Sequence, residues 1–287
     1  MAPPRVVIAG CGFLGEATAA LFLGAEWKVL GICSSAESAD RLRQQGLAAE
    51  ATDISRKMVA PEEWHESDIL IHSASSGRGG ADAYRAVYLD GLRNLLAAYR
   101  PRHVIFTGST SVYGQADGSW VTEDSPTEPP RETGQILLAA ERLALETGGC
   151  VARLSGIYGP GRSVLLRKFL EGSAILEAGG VRWINQIHRD DGAAALFHLA
   201  ATKCSGIFNV CDDTPATQEM VYGWIADFLH RPLPPSGPAD MERKRGWTNK
   251  RVSNAKLRGI GWTPRFPSYR DALPEFCSPL DALTQRS

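Results

Sequence analysis

Three glycines near the start of the chain have a spacing that suits phosphate binding. Gly10, Gly12 and Gly15 lie in the run Gly-Cys-Gly-Phe-Leu-Gly, after an apolar stretch and before a helical pattern. In this context the first glycine permits a tight turn, the second lets the backbone approach a pyrophosphate, and the third lets helix and strand pack closely. Amides at the helix start would then face the phosphate charge. The run predicts a dinucleotide site, and a purely structural glycine turn is the alternative.

The residues after the second predicted strand bear on which dinucleotide binds. An NAD site usually has Asp or Glu there, which accepts hydrogen bonds from the ribose hydroxyls. This chain instead has Ser34 and Ser35, with no acid before Glu37. Serine hydroxyls can donate to a phosphate, so the sequence favours NADP over NAD. Arg41 and Arg43 either add to that phosphate site or form a solvated helix face.

Further positions complete the predicted cofactor site. Asp53 lies between the predicted strands at 28–33 and 68–73, where it either meets the adenine edge or caps a turn. In the part of the chain before residue 80, the residues predicted to contact the dinucleotide are Gly10, Gly12, Phe13, Leu14, Gly15, Ser34, Ser35, Asp53 and Ala74.

Alternating strand and helix patterns must position these residues. Short apolar runs predict strands at 5–9, 28–33, 68–73, 103–107, 150–154 and 207–211. Helical periodicity predicts helices at about 12–23, 81–99, 134–146 and 217–230. Strands that alternate with helices indicate an α/β fold whose parallel sheet is covered on both faces.

Composition limits the classes of protein to consider. The 287 residues have 31 Lys and Arg against 32 Asp and Glu, a formal charge of -1, which argues against a general nucleic-acid binder. No apolar run reaches the roughly 18 residues of a membrane span, and no leader pattern opens the chain. The six cysteines are scattered without metal-ligand spacing, so we expect buried thiols, no metal site and a cytoplasmic protein.

Several longer segments together resemble the extended and atypical branches of the short-chain dehydrogenase/reductase superfamily. Besides the glycine turn, they are the S-T-S-V-Y-G run at 109–114, S-G-I-Y-G-P-G at 155–161, I-H-R-D-D at 187–191 and the tail at 249–264. The resemblance implies a Rossmann-type doubly wound sheet with a small C-terminal α/β lobe. We therefore expect a dinucleotide-binding domain from 1–155 with roughly 183–211, and a substrate-binding lobe from 156–182 with 212–287. Many relatives are nucleotide-sugar epimerases, dehydratases or reductases.

The chain departs from that family at its proton-transfer residues. Catalytic members carry Y-x-x-x-K at the helix that follows the S-V-Y-G strand, where the lysine lowers the tyrosine pKa. Alignment of that helix puts Thr133 at the tyrosine position and Leu137 at the lysine position, and no tyrosine of the chain has lysine four residues on. Threonine lacks acidity near neutral pH, so the proton donor must differ from the family's.

The presumed pocket retains other polar residues. Ser109 matches the family's substrate-binding serine, and Thr133 joins it in the predicted catalytic set. Tyr113 is either a replacement acid or a ring packed beneath the loop with its hydroxyl bonded. Tyr158 is predicted to wall the nicotinamide end of the cofactor site, or merely to pack. His188 is either catalytic or caps the start of a helix.

Two functions of different classes remain open. The first is an NAD(P)-dependent oxidoreductase or epimerase-like enzyme with an atypical active site and a small polar substrate. The second is a dinucleotide-binding sensor or structural subunit without turnover, which the missing dyad favours. We expect no nucleic-acid or membrane partner, and a homodimer is among the possible assemblies. Apart from Trp183, the C-terminal lobe offers no charged cluster that identifies the substrate.

Overall fold

The computed structural model describes residues 2–77, 79–241 and 246–277. The strands are β1 (Arg5–Ala9), β2 (Lys28–Cys33), β3 (Ala48–Ala51), β4 (Ile69–His72), β5 (His103–Ser109), β6 (Trp120–Val121), β7 (Cys150–Leu154), β8 (Gly156–Tyr158), β9 (Leu176–Glu177), β10 (Trp183–Ile184), β11 (Gln186–His188), β12 (Gly206–Val210), β13 (Ala216–Thr217), β14 (Ser236–Gly237) and β15 (Arg251–Val252). The helices are α1 (Phe13–Gly24), α2 (Ala36–Gln44), α3 (Ala81–Tyr84), α4 (Gly91–Tyr99), α5 (Glu132–Glu146), α6 (Val164–Leu170), α7 (Arg189–Thr202), α8 (Gln218–Phe228), α9 (Ala255–Gly259) and α10 (Tyr269–Phe276).

Seven strands form the central sheet in the order β12-β7-β5-β4-β1-β2-β3. Strand β1 pairs in parallel with β2 on one side and with β4 on the other. The chain therefore leaves β1 toward one edge of the sheet and later returns to build toward the other. In such sheets ligands bind beyond the carboxyl ends of the strands at this reversal. The predicted α/β Rossmann-type class is confirmed, and the glycine turn follows the strand at which the order reverses.

The strand sequences explain the sheet. Val6, Val7, Ile8 and Ala9 are completely buried, as a strand covered on both faces requires. Between β4 and β5 the predicted helix 81–99 forms as one helical stretch with a π-helical segment at Arg85–Asp90 between α3 and α4. Such wide turns insert an extra residue into a helix and are frequent near functional sites.

The chain divides into two compact units. The first comprises Met1–Val112, Pro129–Arg153 and Ala193–Phe208, and the second comprises Tyr113–Glu128, Leu154–Gly192 and Asn209–Ser287. The predicted domains have other bounds, because the prediction places residues 113–128, 154–155, 183–192 and 209–211 in the dinucleotide-binding domain. The cofactor and substrate roles given to the two domains remain predictions.

The second unit is built from short elements. Its strands occur in pairs: β8 with β11, β9 with β14, β10 with β13, and β6 with β15. Its core gathers apolar side chains from α6, α8 and α10, among them Phe169, Tyr222 and Leu273. The segment 231–240, predicted to be a loop, contributes only the two-residue strand β14.

No helix within the described ranges is long and apolar enough to cross a membrane. Five of the six cysteines are buried, as predicted, and Cys204 is half-buried. The described residues contain no group of three or more His, Cys, Asp or Glu side chains that could hold a metal ion.

Candidate functional site

The glycine turn joins β1 to α1, and each glycine meets a different steric demand. Gly10 has a φ of +85°, and a Cβ there would lie 2.3 Å from the backbone of Ala74. A Cβ on Gly15 would lie 2.6 Å from the carbonyl oxygen of Gly10, so helix and turn are in close contact. A Cβ on Gly12 would meet no described atom within 4 Å. Side chains are therefore excluded by the protein at Gly10 and Gly15, whereas Gly12 faces open space.

The start of α1 has no side-chain cap, unlike several other helices. Ser35, Ser163 and Thr217 accept hydrogen bonds at the starts of α2, α6 and α8. At α1 the preceding residue is Gly12, and no side chain within the described ranges caps the first turn. Helix-start amides without a cap, at the positive end of the helix dipole, form an anion-binding site.

The two serines after β2 have different environments. Ser35 caps α2, since its hydroxyl oxygen accepts from the Ser38 amide at 3.3 Å and its hydroxyl donates to Ser38 Oγ at 3.0 Å. Ser34 is exposed and precedes the cap. Of the two hydroxyls, that of Ser34 is therefore the more available to a ligand.

The arginines of α2 are both engaged. Arg41 donates through its two terminal nitrogens to the carboxylate of Glu16 on α1, at 2.9 and 2.5 Å. Arg43 donates to Asp40 on its own helix and to the carbonyl of Ala49. These bonds match the alternative in which Arg43 belongs to a solvated helix face, and a contact of Arg43 with a phosphate stays a prediction. Arg41, with 46% of its side chain exposed, ties α2 to the helix that begins at the glycine turn.

Asp53 adopts the turn-capping alternative. Its carboxylate accepts from the amide and the hydroxyl of Ser55, at 3.0 and 2.6 Å, and lies 3.2 Å from Arg56 Nε. The hydrogen bonds from Ser55 lower the pKa of Asp53. A contact between Asp53 and the adenine edge stays a prediction.

Ser109, Thr133 and Leu137 belong to the first unit. Ser109 is the last residue of β5, is 8% exposed, and accepts a hydrogen bond from the Ser111 amide at 3.2 Å. Thr133 lies half-buried in the first turn of α5. Leu137 is 2% exposed in an apolar cluster that includes Tyr88 and Phe106. The side chain of a lysine at position 137 would therefore begin in the apolar interior of this cluster.

Tyr113 belongs to the second unit and packs in its interior. Its ring is fully buried with Val121, Cys211 and Val252, and its hydroxyl donates to Asn209 Oδ1 at 2.8 Å. This arrangement matches the packing alternative in both respects. The catalytic role stays a prediction, and it would require Tyr113 to exchange its bond with Asn209.

Tyr158 and His188 are packed together in the second unit. The ring centroids are 5.5 Å apart in an edge-to-face arrangement, and both residues are 2% exposed. His188 Nδ1 accepts from the Asp190 amide at 3.3 Å, so His188 caps the start of α7, and its catalytic role stays a prediction. The Tyr158 hydroxyl has no hydrogen-bond partner among the described residues, and burial followed by the charge of Asp212 raises its pKa. A contact of Tyr158 with the cofactor stays a prediction.

The second unit also holds a group of cations and indoles that the sequence analysis missed. Lys250 is 4% exposed, and burial together with Arg182 lowers its pKa to about 8. Arg251 lies between Trp120 and Trp183, with its guanidinium carbon 5.2 and 5.0 Å from the two ring centroids. Of this group, the sequence singled out only Trp183. These residues come from three distant stretches of sequence, and only the fold brings them together.

Comparison with known protein families identifies the family of this chain. A family model described as the NAD dependent epimerase/dehydratase family matches residues 6–211. Protein YeeZ of Escherichia coli K12 is 28% identical over 235 residues, which cover 78% of this chain and 84% of YeeZ. The structure of a putative NAD-dependent epimerase/dehydratase from Methylobacillus flagellatus has a TM-score of 0.74 at 28% identity, covering 98% of this chain and 99% of that one.

A more distant structure supports the fold alone. DesIV, a dTDP-glucose 4,6-dehydratase from Streptomyces venezuelae solved as a double mutant with NAD and DAU bound, has a TM-score of 0.80 at 19% identity. The match covers 98% of this chain and 97% of DesIV.

Proposed function

The chain belongs to the NAD dependent epimerase/dehydratase family, and we propose that it is an oxidoreductase or epimerase-like enzyme for a small polar substrate. It binds a dinucleotide at the turn between β1 and α1, and NADP is preferred to NAD. The observation that carries the proposal is the uncapped start of α1 behind the open space at Gly12.

The residues of the first unit fit such a cofactor. The first-turn amides of α1 suit the pyrophosphate. Ser34 suits a ribose phosphate because its exposed hydroxyl directly follows the end of β2, where no carboxylate stands. When bound, the dinucleotide carries the hydride. Ser109, at the carboxyl end of β5, donates a hydrogen bond to the reacting oxygen of the substrate, and Thr133 assists in orienting it.

A dinucleotide sensor without turnover is the second candidate. Two observations favour it: Leu137 lies in an apolar cluster, and the Tyr113 hydroxyl is bonded to Asn209. A phenol that is already bonded and a leucine at the lysine position leave acid–base chemistry without the family's usual groups.

Cofactor oxidation across a panel of carbonyl substrates decides between enzyme and sensor. For the enzyme, we expect measurable turnover, and we expect Ser109→Ala to lower kcat/KM about 10²-fold because one donor to the reacting oxygen is lost. Absorbance of the reduced nicotinamide measures both. Dinucleotide binding without turnover on any substrate would favour the sensor.

Tyr113→Phe resolves the two alternatives for that residue. If the phenol only packs, the change leaves Asn209 Oδ1 unsatisfied and lowers the free energy of unfolding by about 1–3 kcal/mol. If the phenol is the proton donor, kcat falls by much more than the loss of folded protein explains. Turnover that survives both Tyr113→Phe and Ser109→Ala would contradict this assignment of roles.

Cofactor preference is tested at Ser34. In the parent protein we expect NADPH to bind more tightly than NADH, and we expect Ser34→Asp to reverse the order. The new carboxylate repels the ribose phosphate and accepts from ribose hydroxyls, while Ser35 keeps its role as the cap of α2. Calorimetric titration with both cofactors measures the change. Ser173→Asp, at an exposed residue of the second unit, adds the same charge as a control, and equal affinities in the parent would refute the preference.

A further inference from the structure

An acidic side chain belongs to the first turn of α1, next to the uncapped helix start. Glu16 directly follows Gly15, and its amide donates to the carbonyl of Gly12 at 2.7 Å, which closes that turn. A carboxylate there stabilises the helix itself, because it lies near the positive end of the helix dipole. Toward a bound pyrophosphate, however, it is a like charge. The first turn of α1 therefore carries a negative charge where the proposed cofactor brings more.

The carboxylate of Glu16 is paired with a cation from the neighbouring helix. Nη1 of Arg41 donates to Oε2 at 2.9 Å, and Nη2 donates to Oε1 at 2.5 Å. Two parallel hydrogen bonds of this kind are the strongest arrangement of an arginine with a carboxylate. Arg41 lies on α2, the helix that follows β2 and begins after its cap at Ser35. The charge in the first turn of α1 is thus neutralised from outside that helix.

Two thiols indicate that this ion pair lies close to the glycine turn. Cys11 is the second residue of the turn, and its carbonyl accepts from the thiol of Cys33, the last residue of β2, at 3.6 Å. Burial is the main cause that raises the pKa of both thiols. The charge of Glu16 raises both pKa values further, and that of Arg41 lowers them. Both members of the pair therefore act electrostatically on the turn itself.

The pair is more exposed than a structural ion pair of the core. The side chains of Arg41 and Glu16 are 46% and 31% exposed. Ion pairs at this level of exposure stabilise a folded protein only slightly. Removal of Arg41 should therefore leave the fold intact and yet uncover the charge of Glu16.

We propose that Arg41 enables dinucleotide binding by neutralising Glu16, so that the start of α1 accepts the pyrophosphate. The inference rests on the proposed function, in which the dinucleotide binds at the turn between β1 and α1. Arg41 acts through the carboxylate and not by contact with the ribose phosphate, for which Ser34 is the proposed donor. The preference between NADP and NAD therefore depends on Ser34, whereas the affinity for either dinucleotide depends on Arg41.

Calorimetric titration of the full chain with NADH and with NADPH tests this role. Arg41→Met leaves the carboxylate of Glu16 unpaired, and at low ionic strength it should weaken the binding of both dinucleotides about tenfold. Added salt should narrow the difference from the parent, because it screens exposed charges. Arg41→Lys retains the positive charge and should retain most of the affinity. Glu16→Gln removes the carboxylate and should bind both dinucleotides at least as tightly as the parent.

The double variant Glu16→Gln with Arg41→Met separates this role from a direct contact. Neither charge remains, so we expect the affinity for both dinucleotides to return to within about threefold of the parent. A double variant that binds both as weakly as Arg41→Met would overturn the proposal. Recovery for NADH without recovery for NADPH would also overturn it, because that result assigns Arg41 to direct contact with the ribose phosphate.

Arg93→Met is the matched control. Arg93 is an exposed arginine of the same unit that also pairs with a carboxylate, that of Asp90, at 3.0 Å. The control removes the same charge and should leave both affinities unchanged. Thermal melts by circular dichroism establish that each variant is folded before titration. Unchanged affinity in folded Arg41→Met would overturn this inference alone, whereas a parent that binds neither dinucleotide would refute the proposed function and the inference with it.

Discussion

Replacement of Gly12 by valine is expected to abolish dinucleotide binding, with affinity reduced more than about 100-fold, while the fold is retained. A Cβ at this position meets no described atom within 4 Å, so the protein itself can accommodate the side chain. In the proposed cofactor site, however, the pyrophosphate approaches the backbone at this glycine. Calorimetric titration with NADPH and NADH measures the loss, and circular dichroism establishes that the variant is folded.

Two further substitutions make the Gly12 result specific. Gly24, the exposed last residue of α1, also has open space around its Cβ position, so Gly24→Val is a matched control that should bind normally. Gly10→Ala should instead disturb folding, because its Cβ would lie 2.3 Å from the backbone of Ala74. A folded Gly12→Val protein with unchanged affinity would refute the cofactor site.

The sequence was most informative where the determinants are local. The glycine turn, the strand before it and the helix after it occupy only residues 5–24, and their spacing depends on φ angles and close contacts within that stretch. Uninterrupted apolar runs such as Val6 to Ala9 indicate a sheet buried on both faces, which the structure confirms. Neighbouring residues also decided the capping roles of Asp53 and His188, although the sequence left their alternatives open.

Features that depend on tertiary packing could not be predicted in this way. The bond between Tyr113 and Asn209 joins residues 96 positions apart, and no periodicity or motif links them. Lys250 and Arg251 look like ordinary surface cations in a polar stretch. Only the hydrogen bonds of Asn185 and Asn249 place them beside Arg182 and Trp183. Burial of a charged residue is a property of the fold, and composition does not reveal it.

A buried ion pair next to the strand that ends at Ser109 could not be predicted for the same reason. Glu141 on α5 accepts three hydrogen bonds from Arg153 on β7, at 3.1, 3.1 and 2.7 Å, and both side chains are 3% exposed. A Cβ on Gly108 would lie 2.7 Å from Glu141 Oε1, so glycine at this position leaves room for the carboxylate. The pair thus links the helix of Thr133 to the strand of Ser109 through closely packed neighbours.

Removal of the cation from this pair should cost far more than removal of both charges. We expect Arg153→Met to lower the free energy of unfolding by about 3–5 kcal/mol, because the carboxylate of Glu141 is left buried without its ion-pair partner. The double variant Glu141→Leu with Arg153→Met should recover most of that loss, since an apolar pair of similar volume has no charge to desolvate. Urea denaturation of the parent and both variants measures the differences.

The pH dependence of the Arg153→Met variant identifies the cause. Burial already raises the pKa of Glu141 and Arg153 opposes that rise, so without Arg153 the folded-state pKa lies further above its unfolded value. A raised carboxyl pKa favours the folded state at low pH, and this contribution is lost as pH rises through the folded-state pKa. The deficit relative to the parent should therefore be largest at neutral pH and shrink toward the unfolded pKa of about 4.3. A deficit that is independent of pH, and that persists in the double variant, would assign the loss to packing of the Arg153 side chain and not to its charge.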